Sequence, residues 1–392
     1  SSGVTEIFSS DTVFAALKSD GSVVTWGNQN FGGDSSDVST QLSSGVTEIF
    51  SNSQAFAAVK SDGSVVTWGD QNFGGDSSSV SSQLSSGVID IFSTSSAFAA
   101  LKNDGSVVTW GAMDEGGDSS SVSSQLSSGV AEIYSHEYGK AFAALKSDGS
   151  VVAWGHWSGS DISNTNGQLN SGVLEISASP SSFAALKSDG SVVVWGFGPG
   201  ANSGGVSSEL NSGVVKIYST LGSFAALKSD GSLIKWGSIS DETGSYVDYA
   251  LSSGVIDVIG GQYAPFFAAM KSDGSVVYWG ERWNNGINDS YDLLVAAPNI
   301  AKSLNSGIEA IFPIDGNYFA ALDSDGVNPF TDGTLCDDQD PNTINDVFTN
   351  DICQGTPSNS PPVVSGVTFD SDSSGVYTMS THNCLFTVTD AD

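Results

Sequence analysis

Two kinds of apolar stretch recur along this chain, separated by polar punctuation. A run such as Phe14-Ala15-Ala16-Leu17-Lys18 is apolar over strand length and ends on a charge. Soon after it, Ser22-Val23-Val24-Thr25-Trp26 is rich in β-branched and aromatic residues. Such residues suit a pleated, half-buried surface, so both stretches are expected as strands. Asp20-Gly21 stands between them. This pair can take the two positive φ values of a type I′ turn, which predicts a β-hairpin. Ahead of the hairpin, Gly3-Val4 to Ile7 predicts a third strand. After Trp26-Gly27 comes a polar stretch, Asn28-Gln29-Asn30-Phe31-Gly32-Gly33-Asp34, expected as a loop with a short edge strand.

The whole pattern repeats. Trp-Gly recurs at Trp26, Trp68, Trp110, Trp154, Trp195, Trp236 and Trp279, at intervals of 41 to 44 residues. An eighth copy opens at Phe319 and loses its Trp. That period, filled with short strands, points to a propeller or solenoid. A unit of three or four short strands cannot bury its own sheet faces, and stacking around an axis solves this. The repeated Trp is read as an inter-blade packing residue in preference to a ligand-stacking row. Lys18, Lys60, Lys102, Lys146, Lys187, Lys228 and Lys271 precede the Asp-Gly turns. They are read as solvated hairpin ends in preference to a binding ring.

Ser44-Gly45-Val46, Phe56-Ala57-Ala58-Val59-Lys60 and Gly63-Ser64-Val65-Val66-Thr67-Trp68-Gly69 show the frame most clearly. It resembles the regulator-of-chromosome-condensation repeat family, and within it a secreted β-lactamase-inhibitor branch. The resemblance covers about Ser1 to Gly326. It implies an all-β, seven-bladed β-propeller. The family hosts exchange factors, inhibitors and scaffolds, so the fold alone does not select a function. Gly-Gly-Asp-Ser-Ser replaces the family's Gly-Gln-Leu ending in the first three repeats. Eight Gly-Val/Ile strands and eight Phe-Ala-Ala starts meet only seven Trp-Gly strands. An eight-bladed ring stays open if Val327 to Leu335 supplies the missing strand; otherwise the surplus half-unit serves as a joint.

Composition narrows the function classes. The chain has 392 residues, 39% of them hydrophobic, and a formal net charge of −32. Such acidity repels nucleic-acid phosphates and favours solubility, cations or a basic partner. No run is apolar enough to span a bilayer. The chain opens directly on a repeat, so it reads as a mature or excised fragment. Its three His, at 136, 156 and 382, lack metal-ligand spacing. No nucleophile elbow or phosphate-cradling loop is present, so the chain is expected not to be an enzyme and to need no cofactor other than Ca²⁺.

Repeats four to seven vary in the segment after Trp-Gly, where binding surfaces are usually built on a constant scaffold. Trp157, Phe197, Trp283 and Tyr291 are the partner-binding candidates. Asn288-Asp289-Ser290 is a glycosylation sequon in the longest insert, Glu281 to Ala301. The Ser-rich edges are open to O-linked sugars, so glycans join the expected partners.

From Asp323 the composition changes. Asp337, Asp338, Asp340, Asn342 and Asp346 form a candidate Ca²⁺ set of hard oxygen ligands. The helix-loop-helix pattern is broken by Thr343 and Thr349, and a solvated acidic linker is the alternative. The Cys336-Asp337-Asp338 to Cys353 segment resembles short Cys-Asp-Asp modules of extracellular proteins, which implies a Cys336–Cys353 disulfide. Residues 356–362 read as a Pro/Ser linker. Residues 363–392 alternate like strands and resemble the opening of an immunoglobulin- or cadherin-like domain. The expected domains are therefore a propeller at 1–326, an acidic module at 327–355, the linker, and a partial sandwich. The function expected from all this is an extracellular or cell-surface scaffold, a propeller block that binds other subunits or copies of itself. A secreted binding or inhibitor module is the rival.

Overall fold

The computed structural model describes residues 3–136, 138–238, 244–261, 266–280, 308–314, 318–323, 343–349 and 352–357. The architecture is all-β, built from repeated three-stranded antiparallel sheets of the β-propeller kind. Unit 1 is β1 (Val4–Ser9), β2 (Val13–Lys18) and β3 (Val23–Gly27); unit 2 is β4 (Val46–Ser51), β5 (Ala55–Lys60) and β6 (Val65–Gly69). Unit 3 is β7 (Val88–Ser93), β8 (Ala97–Lys102) and β9 (Val107–Gly111); unit 4 is β10 (Val130–Tyr134), β11 (Ala141–Lys146) and β12 (Val151–Gly155). Unit 5 is β13 (Val173–Ala178), β14 (Ser182–Lys187) and β15 (Val192–Gly196); unit 6 is β16 (Val214–Ser219), β17 (Ser223–Lys228) and β18 (Leu233–Gly237). Unit 7 is β19 (Val255–Gly260), β20 (Phe266–Lys271) and β21 (Val276–Gly280). The last unit pairs β22 (Ile308–Ile314) with β23 (Tyr318–Asp323). A separate ribbon pairs β24 (Thr343–Thr349) with β25 (Ile352–Pro357).

The first strand of each unit carries a bulge. Val46 pairs with Lys60, but Glu48 pairs with Val59, so the register slips between them. An unbroken strand would send Val46 and Ile49 to opposite faces, because side chains alternate. The bulge returns both to the core, where they are 4% and 2% exposed. The Gly-Val-x-x-Ile spacing is therefore the imprint of a bulge.

The hairpin turn differs from expectation. Gly21 has φ +75, whereas Asp20 is not among the residues of positive φ, which excludes a type I′ turn. The Gly21 amide donates to Lys18 O at 2.8 Å, and the Lys18 amide to Ser22 O at 2.9 Å. This is a type I turn followed by a left-handed glycine. The reason is local: the Ser22 amide and hydroxyl both donate to Asp20 Oδ1, at 3.0 and 2.6 Å. Those bonds favour the ionised carboxyl and hold it below the ordinary aspartate range. Gly21 is also fixed by space, since a Cβ there would lie 2.6 Å from the Gly45 backbone nitrogen.

The segments between units differ too. Among the described residues they form short 3₁₀ turns, such as Gln29–Phe31, Ser36–Val38 and Gln41–Ser43, with short α-helices after units 4 and 6, and no edge strand. Each such linker crosses to the next unit. Leu42 joins Val13, Ala15 and Leu17 of unit 1 in one core cluster with Val46, Ile49, Phe56, Ala58, Val66 and Trp68 of unit 2. The same set recurs at the next five junctions. Within each unit a Phe stacks on the Trp, as Phe98 does on Trp110 at 5.3 Å. The linker glycine presses on that pair: a Cβ on Gly116 would stand 2.5 Å from the Phe142 ring. Its carbonyl accepts from Trp154 Nε1 at 3.1 Å. Trp110, Trp195 and Trp236 make the equivalent bond. Trp68 Nε1 and Trp279 Nε1 are buried without a partner. The repeated Trp is thus an inter-unit packing residue, as expected.

The repeated Lys has a role that its polarity concealed. Lys60 Nζ donates to Gln41 O at 2.9 Å, across the junction with unit 1. Lys102, Lys146, Lys187, Lys228 and Lys271 do the same to Gln83, Gln125, Gln168, Glu209 and Ala250. Each Lys staples its unit to the linker before it.

Candidate partner-binding surface

Linker geometry decides which aromatics reach solvent. In unit 4, the Ser158 amide donates to His156 Nδ1 at 3.3 Å, capping the short helix α1 (Trp157–Ser160). Gly159 turns inward against Phe183, and its carbonyl accepts from Trp195 Nε1. Trp157, two residues earlier, is turned outward and is 61% exposed. In unit 5, the Phe197 amide donates to Ser181 O at 2.8 Å, and its ring is 58% exposed. The two rings meet edge to face, with centroids 5.2 Å apart and planes at 70°. His156 leans on Trp157 at 5.3 Å. Two of the expected anchors therefore form one exposed patch across neighbouring linkers. Such a patch offers planar apolar faces to a partner.

Trp283, Tyr291 and Asn288 lie outside the described residues. So do Cys336, Asp337, Asp338, Asp340 and Asn342; Asp346 falls on β24 and Cys353 on β25. Sequence reasoning missed His156 as part of the patch, and Met113, which is 70% exposed in the unit 3 linker. Met113 stands where units 1 and 2 carry Gln29 and Gln71. That departure from the repeat was the available signal.

Charge is arranged in a row. Glu6, Glu48, Asp90, Glu132 and Glu175 occupy one position of the first strand in units 1 to 5. Burial, followed by repulsion from Asp90 and Glu6, pushes the Glu48 carboxyl up. Burial and Glu132 do the same to Asp90. At the same position unit 6 has Lys216, which lies 4.0 Å from Asp257 of unit 7 and 4.7 Å over the Tyr218 ring. Among the described residues no group of three or more acidic, His or Cys side chains could hold a metal ion.

One denser polar cluster joins units 3 and 4. Glu115 Oε1 accepts from Lys140 at 2.7 Å, and its Oε2 accepts from Ser95 at 3.0 Å and from the Ser96 hydroxyl. Burial pushes this carboxyl up, but Lys140 and the two serines outweigh it and hold it below the usual range. Nearby His136 is pushed down to about 4 by burial, so it is neutral at pH 7. Its Nδ1 accepts from the Tyr138 amide. With Glu115 fully engaged, the arrangement is an inter-unit clip. A groove of about 710 Å³ also lies between the unit 2 linker and unit 3, with Trp110, Thr109, Ser119 and Lys102 on its walls. Thr109 and Ser119 bond each other at 2.9 Å, and Lys102 holds Gln83 O.

No family model matches the sequence, and no curated protein matches it. Solved structures do resemble it. Human WBSCR16 is 16% identical, with a TM-score of 0.37 over 66% of this chain and 85% of that one. Prp20p from Saccharomyces cerevisiae, the yeast RCC1, is 17% identical, with a TM-score of 0.36 over 60% and 72%. The ectodomain of the Physcomitrella patens receptor kinase CR4 is 16% identical, with a TM-score of 0.33 over 59% and 60%. No helix among the described residues is long and apolar enough to cross a membrane.

Proposed function

We propose that this chain is a non-catalytic structural protein, an extracellular propeller block that assembles through protein–protein contacts. The observation that carries the reading is the regular array of three-stranded units, each joined to the next by a shared core cluster and a Lys-to-carbonyl staple. A rigid repeat array of this kind offers an extended surface for protein contacts. The net charge of −32 and the wealth of Ser and Gly support a soluble, extracellular setting. The reading includes a Cys336–Cys353 bridge, Ca²⁺ held by Asp337, Asp338, Asp340, Asn342 and Asp346, and a glycan on Asn288. Intact-mass measurement with both thiols free would remove the bridge.

Electron microscopy of the native material tests the main reading. The chain is expected to repeat along a fibre or lattice; isolated particles at all concentrations would overturn it. The Trp157–Phe197 patch favours a second reading, a secreted binding or inhibitor module. On that reading, Trp157→Ala with Phe197→Ala abolishes partner capture while the fold survives.

A further inference from the structure

We infer that the bulged first strands form a docking track for a Lys- or Arg-bearing segment of a partner protein, laid across the units. This goes beyond the assembly reading and is tested separately from it. A bulge that returns the first and fourth residues of a strand to the core leaves the two between them facing outward together. In unit 2 these are Thr47 and Glu48, both exposed. In units 3, 5 and 7 the pair is an aliphatic residue and an acid: Ile89 with Asp90, Leu174 with Glu175, Ile256 with Asp257. All three aliphatic side chains are more than half exposed. The fold does not call for hydrocarbon at that position, since units 1 and 2 carry Thr there.

The pairs stand side by side. Ser51 Oγ donates to Ser9 O at 2.8 Å and Ser93 Oγ to Ser51 O at 2.9 Å, so the first strands of units 1, 2 and 3 are neighbours. Ser177 Oγ donates to Ile217 O at 3.1 Å and joins those of units 5 and 6.

Hydrocarbon beside a carboxylate fits a long aliphatic stem that ends in a cation, which describes a Lys or Arg side chain. The chain supplies its own example. In unit 6 the pair is Val215 with Lys216, whose ammonium lies 4.7 Å over the Tyr218 ring and 4.0 Å from Asp257. Tyr134 holds the Tyr218 position in unit 4 and donates its hydroxyl to Glu132 at 2.7 Å, but Glu132 stands where unit 6 has Lys216. Ring and carboxylate are therefore present in unit 4, and the cation is left for the partner to bring. Units 3 to 5 carry the acidic row without interruption. Burial, and then the neighbouring carboxylates, push Glu48 and Asp90 up, so a cation laid along the row relieves a repulsion already present. A second copy is a poor occupant, since the chain has 12 Lys and Arg against 44 Asp and Glu. A metal ion fits no better, because the carboxylates stand one to a unit and no three converge among the described residues.

The test measures fluorescence anisotropy of a labelled peptide of alternating Lys and Ser, titrated with the full chain at low and at physiological salt. Binding is expected at both, weaker at the higher. Asp90→Asn with Glu175→Gln should weaken it about tenfold. Asp37→Asn with Asp114→Asn removes the same charge from exposed linker positions and should change binding by less than about twofold. Ile89→Ser with Leu174→Ser keeps every charge and should weaken binding about threefold. Equal losses from the row and linker variants would mean a diffuse acidic field and would overturn the inference. So would a row variant or an aliphatic variant that binds as tightly as the parent chain. Millimolar Ca²⁺ that displaces the peptide, where NaCl of equal ionic strength does not, would make the row a metal site and overturn it too. None of these outcomes bears on fibre formation, which microscopy reads independently.

Discussion

Units 1 and 2 share the strand sequence Val-Thr-Glu-Ile-Phe-Ser and the same Ser-Asp-Gly-Ser-Val-Val-Thr-Trp-Gly run, yet they occupy different environments. In unit 2 the Phe–Trp pair lies beneath a linker and its Lys reaches a neighbouring carbonyl. In unit 1 the same stack faces solvent and the same Lys folds back on its own turn. The residues are equal, so the difference measures what a neighbour contributes. A repeat of this size owes its burial to the unit before it, as nearest-neighbour models of repeat proteins require.

The largest expected effect sets the two Trp residues against each other. Trp110→Ala should cost about 3–5 kcal/mol, as for other buried aromatics. Trp26→Ala should cost about 1 kcal/mol or less, because its ring already meets water. Urea unfolding, followed by hydrogen exchange to localise the loss, reads both. Equal losses would mean that unit 1 is covered in solution.

Next come the glycines. Gly116→Ala places a methyl 2.5 Å from Phe142 at a φ of +110, and should cost about 2–3 kcal/mol. Gly3 has φ +90 but no atom nearer than 3.4 Å, so Gly3→Ala should cost about 1 kcal/mol. The gap between the two reflects the Phe142 ring that crowds Gly116 and has no counterpart at Gly3.

The staples give a smaller contrast. Lys102→Met removes one charge-assisted bond to Gln83 O and should cost about 1 kcal/mol. Lys18→Met should leave thermal stability unchanged, since its pair with Asp20 is an exposed one.

The smallest effect has a pH signature. Glu48 and Asp90 have folded carboxyls raised above their unfolded values. Their charges oppose folding at neutral pH, and this opposition fades as the pH falls through the raised values. Glu48→Gln and Asp90→Asn should each stabilise at pH 7 by less than about 1 kcal/mol, with no gain in acid. The turn aspartates behave oppositely. Asp20, Asp62 and Asp104 are depressed by their serine partners, so their contribution is present at neutral pH and disappears as the pH falls below the ordinary aspartate value. An acid titration of stability should rise slightly and then fall.

Much of the fold was legible because its signals are local. Strand period, β-branched runs and the Trp-Gly interval place units 1 to 7, and repetition makes each reading testable seven times over. The turn type escaped because Asp-Gly serves two turns, and the choice lay with Ser22, one residue beyond the pair. The lysines escaped because a solvated end and a staple look alike until the neighbouring linker is in place. The Trp157–Phe197 patch was half legible: variability marked both residues, but only the inward turn of Gly159 brings them to one surface. The exposure of unit 1 left no trace in its residues, since unit 2 has nearly the same ones.

The contact between Gly21 and Gly45 has a further consequence. Backbone meets backbone there, and the next unit's Val46 amide donates to Gly21 O at 3.0 Å. Position along the array is set by this seam, while the linkers absorb differences in length from unit to unit. A whole repeat can therefore be excised or added between equivalent seams and the cut ends will still fit. Each seam is thus a repeated backbone joint whose fit does not depend on the side chains of the linker beside it.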